Sequence, residues 1–415
     1  HNAPVIAVAV TYNVGSRNEK QGRTGFAHLF EHMMFQGSEN VGKSEHFMLI
    51  QNNGGTMNGT TNEDRTNYFE ALPANQLELA LYLESDRMRS LEVNQVNLDN
   101  QRNVVQEERR IGLDNAPYGK SGETQQELMY DNFAYKHDTI GSMADLNAAS
   151  VEDVRAFFKM YYAPNNAVLT LVGDFKTADA LATIKKYFEA IPRQADPTPP
   201  DMSEPEQKAE RRASVDDVLA RLPRVTIAYK TVPGNTSDFY ALQLLANILG
   251  GGGGGFGGGG GGSSSRLNQK LAREKEMVTN IGSNAQETRG VGGFYVTATL
   301  RPGVKTDDVE GAVYDEIARL QKEPIADWEL QKAKNGARRN FINSLQSSLA
   351  RANSLGQYAV YYGDPNLINT RLDKVAAVTK DDVQRVANMY LVQTNRTVVI
   401  TVPKGGGRGM GSGLQ

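Results

Sequence analysis

The 415-residue chain contains no cysteine. That excludes disulfides, a thiolate nucleophile and cysteine ligands to a metal, and it fits any compartment. No apolar run approaches the roughly 18–20 residues that a helix needs to cross a bilayer. Neither sign of charge dominates: 45 Lys and Arg against 48 Asp and Glu leave a formal net charge of −3. Such a balance gives no electrostatic reason to expect nucleic acid or an anionic membrane as partner. Histidine is also scarce. There are five in the chain, and two of them share one pentapeptide.

The remaining composition, 39% hydrophobic and 22% charged, is that of an ordinary globular protein. The length is large for one core, so two domains of roughly 200 residues are expected. The chain opens at "HNAPVIAVAVTYNVGS", and Val5 to Val10 already reads as a buried strand. A start so close to a core strand is expected where upstream residues have been removed, which leaves export open.

A break falls at "IPRQADPTPPDMSEPEQKAERR", 191–212, which holds five of the fifteen prolines and many charges. This composition predicts a solvated, semi-extended linker. Its flanks resemble each other. "SVEDVRAFFKMYYAPNNAVLTLV" (150–172) aligns without gaps on "TKDDVQRVANMYLVQTNRTVVIT" (379–401), with Asp153/Asp382, Val154/Val383, Met160/Met389, Tyr161/Tyr390 and Asn166/Asn395 identical. Each copy predicts a helix capped by Ser150 or Thr379, then a strand. The expected organisation is an internal duplication: domain 1–190, linker 191–212, homologous domain 213–403 and a disordered tail 404–415.

The duplication supplies a control for the histidine pair. Each half begins with a strand and then a helix. The first helix carries "AHLFEHMMF"; its counterpart reads "DFYALQLLANIL" (238–249), with neither histidine nor glutamate. The helix can be built without them. On a helix His28 and His32 lie one turn apart on one face, with Glu31 beside them, while Leu29, Phe30, Met33 and Met34 can face the core. Two imidazoles so spaced can meet one zinc ion, and a neighbouring carboxylate can take a proton from the attacking water. The spacing H-x-x-E-H is the inverzincin signature. Read blandly, the same residues are structural histidines in a buried helix.

A catalytic zinc has three protein ligands and an open position. With no cysteine and only His1, His46 and His137 remaining, a carboxylate is the expected third ligand. The helical stretch "NLDNQRNVVQEERRIG" (97–112) offers Glu107 and Glu108. Leu98 and Val105 flank one side of its apolar arc, Val104 and Ile111 the other. Glu108 falls within about 10° of the middle of that arc and Glu107 roughly 110° away, which selects Glu108. A solvated glutamate remains the alternative at this point.

"GRTGFAHLFEHMMFQGS", "GGTMNGTTNEDRTNYFEAL", "NVVQEERR" and "YYAPNNAVLTLVGDF" occur in the order found in the pitrilysin/insulinase family of zinc peptidases, and nearly the whole chain resembles its bacterial branch related to mitochondrial processing peptidase. The resemblance implies an α+β fold of two homologous domains, each a mostly antiparallel sheet against helices, forming half of a clamshell. It implies zinc on His28, His32 and Glu108, with Glu31 as general base. It implies a bacterial protein, and the abrupt start at the first strand places it in the periplasm before the cytoplasm. In this family the strand matching 57–72 adds the substrate backbone as an extra strand, which points to Asn58 and Gly59 as substrate contacts; from sequence alone that stretch also fits a plain surface hairpin.

Two positions depart from the family pattern. A glutamate seven residues before the ligand glutamate is replaced by Gln101, which on the same helix face can still hydrogen-bond near the ligands but carries no charge. The Arg and Tyr that complete the site in self-sufficient members correspond to Arg273 and Asn280 in "LAREKEMVTNIG". The expectation is therefore the catalytic subunit of a homo- or heterodimer whose homologous partner supplies the Arg/Tyr pair. The competing readings are a non-catalytic assembly subunit of the same fold, or a peptide-binding module without turnover. Twelve glycines surround Phe256 in "LGGGGGGFGGGGGGSSSRL". Without a following Lys-Ser/Thr they do not make a phosphate loop, and a flexible connection is expected.

Overall fold

The computed structural model describes residues 3–252 and 262–404. Most of the glycine run and the tail from 405 lie outside the described residues, and with them the expectations of a flexible loop and a disordered tail.

The fold is mixed α and β, built on two sheets. The first has the order β2-β3-β1-β4, from β1 (Val5–Tyr12), β2 (Thr56–Thr61), β3 (Thr66–Pro73) and β4 (Ala167–Gly173), all antiparallel. The second has the order β5-β9-β6-β8-β7, from β5 (Arg211–Asp217), β6 (Arg224–Lys230), β7 (Val278–Ala285), β8 (Gly293–Leu300) and β9 (Arg396–Pro403). Only the β5–β9 pair in it is parallel. β1 reads as an unbroken apolar run because it is buried on both faces. Ile6, Val8, Val10 and Tyr12 point into the larger cores, while Ala7 and Ala9 meet Ala352 on the other side.

The duplicated ends match bond for bond. The helices Val151–Tyr161 and Lys380–Tyr390 start with the same capping box, Ser150 with Asp153 and Thr379 with Asp382. After each helix the shared asparagine ties the turn to the neighbouring chain. Asn166 donates to the carbonyls of Tyr161 (2.8 Å) and Asn13, and Asn395 to those of Tyr390 (2.8 Å) and Lys230. Identity at these positions therefore records a shared hydrogen-bond requirement.

Packing divides the chain differently from its order. One compact unit gathers the residues up to Glu107, Phe133–Met202 and Arg338–Leu372; the other gathers Glu108–Asn132, Ser203–Ala337 and the chain from Asp373. Each sheet thus takes a covering helix from the other half of the sequence. The helix Ser348–Tyr362 lies on the first sheet so closely that a Cβ on Gly356 would stand 2.4 Å from Thr11 Oγ1. The helix Gly119–Met129 lies on the second, where Ser121 and Thr401 hydroxyls meet at 2.7 Å. The proline-rich segment is anchored as well as extended: Glu204 accepts from the backbone of Asp131 (2.8 Å) and Asn132 (3.0 Å), and β5 starts at Arg211, within the 191–212 stretch.

Candidate metal centre

The helix α1 (Phe26–Met33) begins at Gly25, whose φ of +84° suits glycine and not a residue with a side chain. Leu29, Phe30, Met33 and Met34 are buried, as the spacing requires, and Phe30 packs on Phe157, Phe158 and Tyr162. The opposite face brings the His28 and His32 rings edge to face, 4.8 Å between centroids. The helices α2 (Glu45–Asn52) and α3 (Leu77–Ser90) follow, then α4 (Gln95–Arg109), which continues into a π-helical turn, Arg110–Asp114. The unit boundary falls inside the last turn of α4, and the helix is continuous there.

One ligand atom each from His28, His32 and Glu108 lies within 4.8 Å of the others. Glu107, the alternative that the helical wheel disfavours, is not in this group. The wheel is corrected in one respect. Val104 and Ile111 are 39% and 64% exposed, while Leu98, Gln101 and Val105 are buried. The inward face of α4 is therefore centred between Gln101 and Val105, with a polar residue in it, and Glu108 sits at its margin. Gln101 Oε1 stands 3.3 Å from His32 Nδ1. With Nδ1 donating that bond, Nε2 is left as the ring's lone pair. Burial, and next the charge of His32, pull His28 down to about 3, so its imidazole is neutral across the physiological range.

Two neutral-capable imidazoles and a carboxylate, with the tautomer of one ring set by an amide, are the donor chemistry of a three-ligand zinc site. Residues His28, His32 and Glu108 fit that ion.

Glu31 is buried between α1 and β2. Thr61 Oγ1 donates to its Oε2 at 2.5 Å, and a Cβ on Gly59 would stand 2.9 Å from its Oε1. The family resemblance points to Gly59 for substrate; the structure adds that its missing side chain makes room for the Glu31 carboxylate. Its φ is not left-handed, so alanine meets a steric obstacle only. Gly59→Ala should keep the fold, since only the flexible end of Glu31 must move. If that carboxylate does the chemistry, kcat should fall on the order of tenfold to a hundredfold. Steady-state kinetics beside a circular-dichroism spectrum test this; an unchanged kcat would mean that the place of Glu31 does not matter. Asn58 is exposed on β2, the edge of the first sheet. Arg273 and Asn280 are exposed in the second unit, Arg273 on a π-helical stretch (Asn268–Glu274) and Asn280 on β7 at a register shift.

A second histidine–carboxylate group escapes sequence reasoning. His46 on α2, Glu70 on β3 and Glu84 on α3 bring ligand-type atoms within 4.8 Å of one another, all buried. Arg87, also buried, ion-pairs with Glu84, and its guanidinium lies 4.4 Å over the Tyr68 ring. A metal here would add positive charge beside a guanidinium that already holds Glu84, so the group reads as a buried ion-pair network. The available signal was the alternation Tyr68, Glu70, Leu72, which places a glutamate on the inward face of β3.

Two sheet domains of common ancestry, one carrying the histidine–glutamate cluster on its first helix and the other carrying none among the described residues, define a recognisable class of two-domain protein. Residues 1–116 match the family described as "Insulinase (Peptidase family M16)", and residues 148–337 match "Peptidase M16 inactive domain". A protein of Helicobacter pylori named zinc protease PqqE is 31% identical over 402 residues, covering 96% of this chain and 88% of that one. The chain belongs to the insulinase family of peptidases. A solved structure described as a protease from Helicobacter pylori superposes with a TM-score of 0.90 at 30% identity, covering 97% of this chain and 95% of that chain. The probable mitochondrial-processing peptidase subunit beta of Arabidopsis thaliana is 23% identical, with 94% of this chain and 73% of that protein covered. Among the described residues no helix is long and apolar enough to cross a membrane.

Proposed function

We propose that the protein is a zinc-dependent endopeptidase acting on peptides or unfolded segments. The observation that carries the reading is the convergence of His28, His32 and Glu108, with Glu31 held beside them by Thr61. His28 and His32 would each hold the ion through a ring nitrogen and Glu108 through a carboxylate oxygen. Zinc in that place supplies Lewis acidity and acidifies a water. Glu31 takes the proton as water attacks the scissile carbonyl, then returns it to the leaving amine. Gln101 holds the His32 ring. β2 is an edge strand beside this centre, so the substrate backbone adds to it as a further strand, with Asn58 and Gly59 as contacts. Such recognition reads extended main chain, which favours unfolded segments.

The domain that carries Arg273 has asparagine, not tyrosine, at 280. On this reading a homologous partner, a second copy or a distinct subunit, supplies an Arg/Tyr pair, and the enzyme works as a dimer, in the bacterial periplasm. Support comes from the similarity to a processing-peptidase beta subunit.

The test is metal analysis joined to a peptide-library digest, on the chain alone and with a co-expressed homologue. About one zinc per chain is expected, with cleavage that a chelator abolishes and zinc restores. A purified chain that binds no stoichiometric zinc is an assembly subunit instead. One that binds zinc and peptide without producing fragments, even with a homologue, is a binding module.

A further inference from the structure

The helix α1 has only 8 residues, too few to hold itself together in isolation. His28 is its third residue, in the turn most prone to fray. The cap residue Gly25 has no side chain with which to hold the free amides. That task is performed from upstream by Glu19, whose carboxylate is fully buried. Its Oε2 accepts from the Gly25 amide at 2.9 Å and its Oε1 from the Ala27 amide at 2.7 Å. A negative charge at this end also suits the helix dipole.

The carboxylate is fixed in turn by His137, 118 residues further along. His137 Nε2 stands 2.9 Å from Glu19 Oε2, its Nδ1 stands 2.9 Å from the Phe133 carbonyl, and its ring stacks on Phe133. Both partners accept hydrogen bonds, so the ring in this setting carries both N–H protons. The short helix Met143–Ala148 and its cap Ser142 grip the same end of α1. Asp145 Oδ2 accepts from the Thr24 amide (3.0 Å) and hydroxyl (2.5 Å), and the Ser142 amide donates to Thr24 Oγ1 (3.0 Å). A Cβ on Gly25 would stand 2.5 Å from the Ile140 carbonyl oxygen, so chain meets chain here without intervening side chains.

We propose that Glu19, anchored by His137, is a positioning residue for the metal ligands: it fixes the first turn of α1 and with it the place of His28. The inference rests on the zinc reading of His28, His32 and Glu108. Glu19 touches neither ion nor substrate; it acts through the amides of Gly25 and Ala27. Neither residue belongs to the H-x-x-E-H signature.

The experiment compares zinc affinity, by competition with a chelating dye, in the full chain, in Glu19→Gln and in His137→Gln. Glutamine at 19 keeps the volume but turns an N–H donor toward another donor, so zinc affinity should fall about tenfold or more with the circular-dichroism spectrum unchanged. Glutamine at 137 can still donate to Glu19 and should stay close to wild type, a rescue that loss of packing alone would not give. Unchanged affinity in folded Glu19→Gln overturns the proposal. If Glu19→Gln does not fold, the same measurement is made on His137→Phe, which leaves the carboxylate without its anchor. Weakened zinc binding there upholds the proposal, and wild-type affinity overturns it. A wild-type chain that binds no zinc defeats the metal reading instead, and amide hydrogen exchange over Ala27–His32 then decides the clamp. Faster exchange in the Glu19 variant upholds it, and unchanged exchange overturns it.

Discussion

Glu31→Gln should bind zinc as the wild type does and lose about 10²- to 10⁴-fold or more in kcat, the range that a positioned acid–base group contributes. The substitution leaves His28, His32, Glu108 and the packing alone. Glu31 is not among the grouped ligand atoms, which come from His28, His32 and Glu108. Glutamine is nearly isosteric, so the space above Gly59 still accommodates it, and its carbonyl oxygen can still accept from Thr61 Oγ1. With the charge goes the basicity, because an amide cannot take the proton of water at neutral pH. The variant should therefore show wild-type metal content, an unchanged melting temperature and little product after long incubation. His28→Ala or Glu108→Gln should instead reduce the metal content itself. Hydrolysis by zinc-loaded Glu31→Gln at the wild-type rate would sink the mechanism and return Glu31 to the role of a buried structural acid.

The parts of this molecule that sequence makes legible are those written in neighbouring residues. The spacing of His28, Glu31 and His32 against Leu29, Phe30, Met33 and Met34 places α1 and both its faces. The shared Asp153/Asp382 and Asn166/Asn395 mark two capped helices and two tied turns, because those side chains bond backbone a few residues away. Legibility fails where partners are distant in the chain. His137 and Glu19 meet across 118 residues, and no local pattern pairs them. The helix Ser348–Tyr362 sits on the first sheet through Ala352 and Gly356, and small residues leave no apolar periodicity that names a target. On α4 the apolar residues misplace the inward face. Val104 and Ile111 are exposed, and the buried position between Leu98 and Val105 is taken by Gln101, which hydrophobic counting scores as surface.

Arg87→Met should destabilise the first unit by about 3–5 kcal/mol, the cost of leaving a buried charge without its partner. Arg87 is buried, and its guanidinium meets both oxygens of Glu84, with Nε at 3.1 Å from Oε2. Glu70 stands next to this pair with neither carboxylate oxygen hydrogen-bonded among the described residues. Burial, and next the charge of Glu84, hold its carboxyl well above the usual carboxylate range. Methionine preserves much of the volume of the arginine stem, but it leaves Glu84 with no counter-charge beside a second acid. It also removes a cation 4.4 Å above Tyr68 and 5.3 Å from Phe35, rings near the helix that carries His28 and His32. The damage should therefore reach the site as well as the fold. Urea unfolding followed by circular dichroism measures it, with unfolding moving to lower denaturant. Adding Glu84→Gln to Arg87→Met should restore part of the loss, because the stranded charge goes with it. A cost below about 1 kcal/mol for Arg87→Met alone would place the pair among weak surface-type ion pairs, despite its burial.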